Sequence, residues 1–291
     1  MEWSAKEKME YSKEERFPII SHTEKVPLQI VLVTPAIPVK AVVQFFHGGE
    51  ETKEDYLSFM EFLASHGFAS IAYDYRGHGE SVRAKKELGY YHRYGAKALV
   101  EDANLVNRYV RRRFREVPIY LYGHDMGSLL VRAYLKHHDR VVDGVILSGM
   151  LPKNPYSSSL VRISRLASKL RGDQEIPLYM RRFSNGYVKE DATYNVYETR
   201  FRLLHWAYEE HNWSVNQPSL PILVLQGKEE SRELVEAATK SIDVLCKVGY
   251  RNVTLQTYKG MGRELLQEKD YIKVWFDVAT KLELWLDRKY R

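Results

Sequence analysis

The sequence predicts an α/β protein with a mostly parallel central sheet covered by helices on both faces. Two observations carry this: short apolar, β-branched runs alternate with longer amphipathic stretches, and several of those runs end in glycine-containing turns. In order, the expected elements are a strand at Val42–Phe46, a helix at Tyr56–His66, a strand at Ala69–Tyr73 and a long helix at Ala96–Phe114 with Leu99, Val106 and Val110 on its apolar face. A strand at Ile119–Tyr122, a helix at Leu129–Lys136 and a strand at Val145–Leu147 follow. The pattern resumes with a strand at Ile222–Leu225, a helix around Val235–Val248, a strand at Val253–Tyr258 and a helix around Tyr271–Arg288. Between them, about Leu151 to Gln217, the chain turns rich in Arg, Tyr and Ser and loses its strand pattern. That excursion reads as a mainly helical cap, residues 151–217, inserted into a core made of residues 1–150 and 218–291, over the strand ends where open sheets bind ligands.

The chain's 291 residues are 44% hydrophobic, enough to bury a large core without disulfides or metals. Its 44 Lys+Arg against 38 Asp+Glu leave +6, a mild surplus for this length. The densest basic run, Arg111, Arg112, Arg113 and Arg115, falls at a helix end, where cations suit the macrodipole, so no nucleic-acid partner is expected. The single cysteine, Cys246, excludes a disulfide framework and reads as a buried thiol beside Val244 and Leu245. No apolar run approaches the roughly 18 residues of a membrane span, and the charged first residues do not resemble a secretory signal. A cytoplasmic protein is the expectation, with no cofactor and no metal ion.

Three motifs stand after strands. Tyr122-Gly123-His124-Asp125-Met126-Gly127 joins a strand to a helix with glycines two residues either side of Asp125, the spacing of a nucleophile elbow. Phe46-His47-Gly48-Gly49 ends an earlier strand, where Gly49 and Met126 are placed to supply two oxyanion-hole amides. Asp74-Tyr75-Arg76-Gly77-His78-Gly79-Glu80-Ser81 follows the next strand, and its Arg76 and His78 read as residues that hold this turn.

Together these stretches resemble the monoacylglycerol lipase and lysophospholipase branch of the α/β-hydrolases, the serine aminopeptidase S33 group, over about residues 25–288. The resemblance implies a cap-covered pocket for a small lipid-like or hydrophobic ester, hydrolysed in active relatives, and transient contact of the cap with a membrane surface suits that ligand class. It also implies three catalytic positions, at which this chain departs from the family. Asp125 stands where the family has its serine nucleophile, Arg263 in Gly260-Met261-Gly262-Arg263-Glu264 stands where it has its histidine, and Glu230 fills the place of the acid.

Glutamate serves as well as aspartate for the acid, but arginine cannot be deprotonated in a protein and cannot shuttle a proton. The serine-triad mechanism is therefore absent. A guanidinium between two carboxylates would compensate their burial, so an Asp125–Arg263–Glu230 ion network is expected in place of the triad. Two readings stay open beside this impaired hydrolase. Asp125 could act as a nucleophile, as in haloalkane dehalogenases and epoxide hydrolases, with His47, His124 or His205 as the base. Alternatively, a basic cap carrying Arg162, Arg165, Arg171, Arg181 and Arg182 could contact an acidic partner. The cap aromatics Tyr187, Tyr194, Tyr197, Trp206, Tyr208 and Trp213 read mostly as packing residues, some placed to line a pocket. His137 and His138 read as a helix end.

Overall fold

The computed structural model describes residues 12–152, 166 and 194–289. Within them the expected architecture is present. Eight strands form one sheet in the order β1-β2-β4-β3-β5-β6-β7-β8, parallel from β4 onward. The strands are β1 Ser12–Ile20, β2 Pro27–Pro35, β3 Ala41–Phe46, β4 Phe68–Tyr73, β5 Ile119–His124, β6 Gly144–Ser148, β7 Ile222–Gly227 and β8 Val253–Tyr258. The helices are α1 Leu57–Ser65, α2 Gly95–Arg113, α3 Met126–His138, α4 Tyr194–Tyr208, α5 Arg232–Val248 and α6 Tyr271–Lys289.

Burial on both faces explains the near-continuous apolar runs of β3 to β7. One core, with Val42, Phe46 and Leu121 from the sheet, packs against α2, α3, α4 and α5; the other, with Val43, Phe45 and Tyr122, packs against α1 and α6. Two strands escaped the sequence reading. β1 pairs antiparallel with β2, and β2 antiparallel with β4. β1 lies at the sheet edge and alternates half-buried with exposed residues, so its charged exposed face hid the strand pattern.

Cys246 is a second correction, since it is exposed. It lies in α5, whose core side is drawn by Ala237, Ala238, Val244 and Leu245, and one residue past Leu245 the helix has turned to solvent. The helix-end readings of the Arg111–Arg113 run and of His137 and His138 match the last turns of α2 and α3. Of the cap aromatics, Tyr187 lies outside the described residues, as do the five cap arginines from Arg162 to Arg182. No helix among the described residues is long and apolar enough to cross a membrane.

Candidate active site

The elbow forms as its spacing requires. Asp125, between β5 and α3, has φ 49° and ψ −115°, a conformation a non-glycine residue adopts only when its surroundings impose it. The flanking glycines make the turn sterically passable: a Cβ on Gly123 would stand 2.7 Å from the Gly127 carbonyl oxygen, and one on Gly127 only 2.0 Å from that of Phe46. The Asp125 amide donates to Ser148 O at 3.1 Å, pinning the turn to β6.

The two loops meant to complete the site are laced together. Lys228 donates its amide to Tyr258 O and Glu229 to Met261 O, at 2.9 and 3.0 Å. A Cβ at Gly227 would lie 1.8 Å from Gly262 O, so only glycine allows this approach. Arg263 thereby reaches Asp125, donating from Nη2 to Oδ1 in an ion pair. The other carboxylate oxygen, Oδ2, accepts the Gly49 amide at 3.0 Å. Asp125 thus occupies the oxyanion donor expected to serve a substrate. The expected network is only half formed. Arg263 pairs with Asp125, but no hydrogen bond or ion pair joins it to Glu230, and both Arg263 Nε and Glu230 Oε2 are buried without a hydrogen-bond partner. Met126, the other expected oxyanion residue, is buried, and its Sδ accepts the Tyr91 hydroxyl at 3.1 Å.

Sequence reasoning missed Arg200. From α4 its Nη2 donates to Gly49 O at 3.0 Å, so this helix and the loop after β3 meet beside Asp125. Arginine in a helix carries no motif, and nothing in its local pattern pointed to it. Burial would raise the Asp125 carboxyl, but Arg263, Arg200 and His124 outweigh it and hold it below the ordinary carboxylate range. At Glu230 burial prevails over Gln226 and Arg263, and the carboxyl is pushed up.

None of the histidines considered as bases forms a hydrogen bond to Asp125 among the described residues. His47 is buried with Nδ1 2.6 Å from Gly48 O and Nε2 accepting the Tyr75 amide at 3.1 Å. His205 is exposed and stacked on Phe201. His124, although next to Asp125 in sequence, points Nε2 at Glu264 Oε2, 3.1 Å away, as an ion pair without hydrogen-bond alignment. Glu51, His124 and Glu264 bring potential ligand atoms within 4.8 Å of one another, the one such cluster among the described residues. Against burial, Glu264 and Glu51 raise the His124 pKa, so protonation of the ring offsets the carboxylates' charge. The Arg76 turn is structural as expected: the guanidinium is fully buried and bonds Asp102, Ser21, Thr23 and Glu24.

The family model for serine aminopeptidase S33 matches residues 37–270. The chain belongs to that family. It falls in the monoacylglycerol lipase and lysophospholipase branch of the α/β-hydrolases. Proline iminopeptidase of Thermoplasma volcanium is 29% identical over 151 residues, 48% of this chain and 48% of that protein. Monoglyceride lipase of Rattus norvegicus is 26% identical over 137 residues, 47% of this chain and 43% of that protein. The matches span about half the length, or less, of these curated relatives. A thermostable carboxyl esterase from Bacillus coagulans, solved in complex with glycerol, superposes with a TM-score of 0.81 at 18% identity, covering 95% of this chain and 99% of its own.

Proposed function

We propose that this S33 chain is a lipase-type ester hydrolase silenced at its nucleophile and its base, which keeps a site for a small lipid-like or hydrophobic ester above the elbow. The observation that carries this reading is the double engagement of Asp125. One carboxylate oxygen is taken by Arg263 and the other by the Gly49 amide. Ester hydrolysis at this elbow would need a hydroxyl to attack the carbonyl, a base to take its proton and return it to the leaving alcohol, and free amides to stabilise the oxyanion. A permanently charged guanidinium supplies no base, and a carboxylate seated on Gly49 N–H competes with the developing oxyanion. The same engagement counts against attack by Asp125 on an alkyl halide or epoxide, because no histidine stands ready to activate the water for the second step.

A panel of p-nitrophenyl esters, monoacylglycerols and epoxides tests the proposal. Wild type is expected to show no turnover above an Arg263→Ala control, and no covalent mass on the Asp125 peptide after incubation. The double variant Asp125→Ser with Arg263→His should gain ester hydrolysis of about 10²-fold or more over background, the usual worth of a positioned base. Turnover by wild type that is lost on Asp125→Ala would overturn the proposal.

A further inference from the structure

A groove of about 770 Å³ runs between core helices α2 and α3 and the outer side of cap helix α4, away from the elbow. Its volume lies within the range of small-molecule sites. Apolar surface from Tyr94, Val100, Ala133 and Trp206 lines it. Its charges are mostly spoken for. Lys136, 4% exposed, bonds Glu209 Oε2 at 2.8 Å and the Trp206 carbonyl at 3.3 Å, Lys97 pairs with Glu101 at 3.8 Å, and Arg202 pairs with Glu198. Arg93 is the exception. Its exposed guanidinium lies 5.9 Å from the Tyr94 ring at the groove wall, and no carboxylate among the described residues forms an ion pair with it.

On α4 the groove takes Glu198, Arg202 and Trp206, a stripe at spacings of four, with Glu209 just past the helix end. Arg200, two residues from both Glu198 and Arg202, is turned about 200° around the helix from each, and it is the residue that reaches Gly49. One helix therefore shows the elbow one face and the groove the other. From this geometry we infer that the groove is a second binding site, for a single acyl chain ending in an anion, with the chain along the Val100–Trp206 floor and the anion at Arg93. The charge complementarity chooses the head, and the apolar lining chooses the tail. The inference does not depend on the state of Asp125.

Calorimetry with dodecanoate and dodecyl phosphate, both below their micellar concentrations, and with dodecyltrimethylammonium as the reversed charge, reads the site. Photolabelling by a dodecanoate carrying a terminal diazirine locates it. Both anions should bind and the cation should not; the tighter anion identifies either a free fatty acid or a phosphate-headed lipid as the source. The label should fall on peptides containing Val100 or Trp206. Exposed Arg93→Glu should weaken binding at least tenfold and Val100→Trp should abolish labelling, with circular dichroism unchanged, while Arg263→Ala leaves both intact. Label confined to the elbow loops, or binding indifferent to Arg93→Glu and Val100→Trp, would overturn the inference. Ester turnover, which tests the proposed function, does not enter these readouts.

Discussion

Buried His47 with half-buried His78 on one side of Asp125, and buried His124 on the other, are tuned in opposite directions. On the oxyanion-loop side, His47 stacks on Tyr75 with ring centroids 3.8 Å apart, and His78 lies beside Tyr91. Burial pushes His47 down to about 4 and His78 down to about 3. On the elbow side, burial also disfavours the charged form of His124, but Glu264 and Glu51 outweigh it and its pKa rises. Burial alone makes a histidine a neutral packing group. Burial between carboxylates instead favours its charged form. Neither kind is a poised base, and around this elbow both are committed to holding loops in place.

The largest effect that could break this contrast is the acid dependence of stability. His47 and His78 have folded-state values below the unfolded value of about 6.5, so the unfolded chain takes up protons first as the pH falls. Stability should decline from about pH 6.5 down toward pH 4, with His78 extending the loss toward pH 3, at up to about 1.4 kcal/mol per pH unit per histidine. Urea denaturation at a series of pH values reads this directly, and His78→Asn should remove about half of the slope. A wild-type profile flat between pH 6.5 and 4 would mean that these rings are hydrated and titrate normally.

A smaller effect sharpens the other side. His124 has a raised folded value, so its contribution is complete below about pH 6.5 and is lost as the pH rises through the folded value. Glu264→Gln removes its ion-pair partner, and the loss should then begin at lower pH. The cost at pH 6 should be about 1 kcal/mol, less than for a fully buried charged hydrogen bond because Glu264 is half exposed. NMR titration of the His124 ring should show the downward shift; an unmoved titration would assign its charge to Glu51 instead.

At the elbow itself, Arg263→Met leaves the Asp125 carboxylate facing Gly49 N–H with Arg200 as its remaining nearby guanidinium. Asp125 is held low, so the stability it contributes is present above the ordinary carboxylate value of about 3.9 and is lost as the pH falls below it. The variant should lose about 1 kcal/mol at pH 7, discounted because the pair's side chains are 27% and 20% exposed. The difference from wild type should shrink as the pH falls from about 3.9 through the lowered folded value, and vanish in acid strong enough to protonate the carboxyl. A difference that persists there would place the effect in packing rather than charge.

Much of this was legible in the sequence, for identifiable reasons. β3 to β7 are buried on both faces, so their apolar runs could be read without knowing their partners. Gly123, Gly127 and Gly227 mark places where backbone closely approaches backbone; the spacing of the first two located Asp125, while Glu230 and Arg263 came only from the family resemblance. Partnership across the fold was not legible. Gly49 taking Asp125 Oδ2, Arg200 arriving from α4 and Glu264 claiming His124 all depend on which side chain wins a contested neighbour. Local pattern holds no record of that competition. β1 was missed because its partner β2 is not legible from its own pattern, and Cys246 was misread because it lies just beyond the buried side of its helix.

Glu230 gives the smallest expected effect and the finest test of the proposed loss of the triad. In a working triad the acid is hydrogen-bonded and charged, and neutralising it costs activity and stability together. Here Oε2 has no hydrogen-bond partner, and burial has pushed the carboxyl up. Glu230→Gln should therefore change stability at pH 7 by less than about 0.5 kcal/mol, because the amide replaces a charge that nothing nearby fully compensates. In the Asp125→Ser, Arg263→His background the same substitution should become costly, since a histidine at 263 needs an acid to orient it and to stabilise its charged form. Measuring ester turnover with and without Glu230→Gln in that background separates an acid that has merely lost its partner from one whose loop has moved out of reach. Equal turnover in the two would mean that the loop has moved.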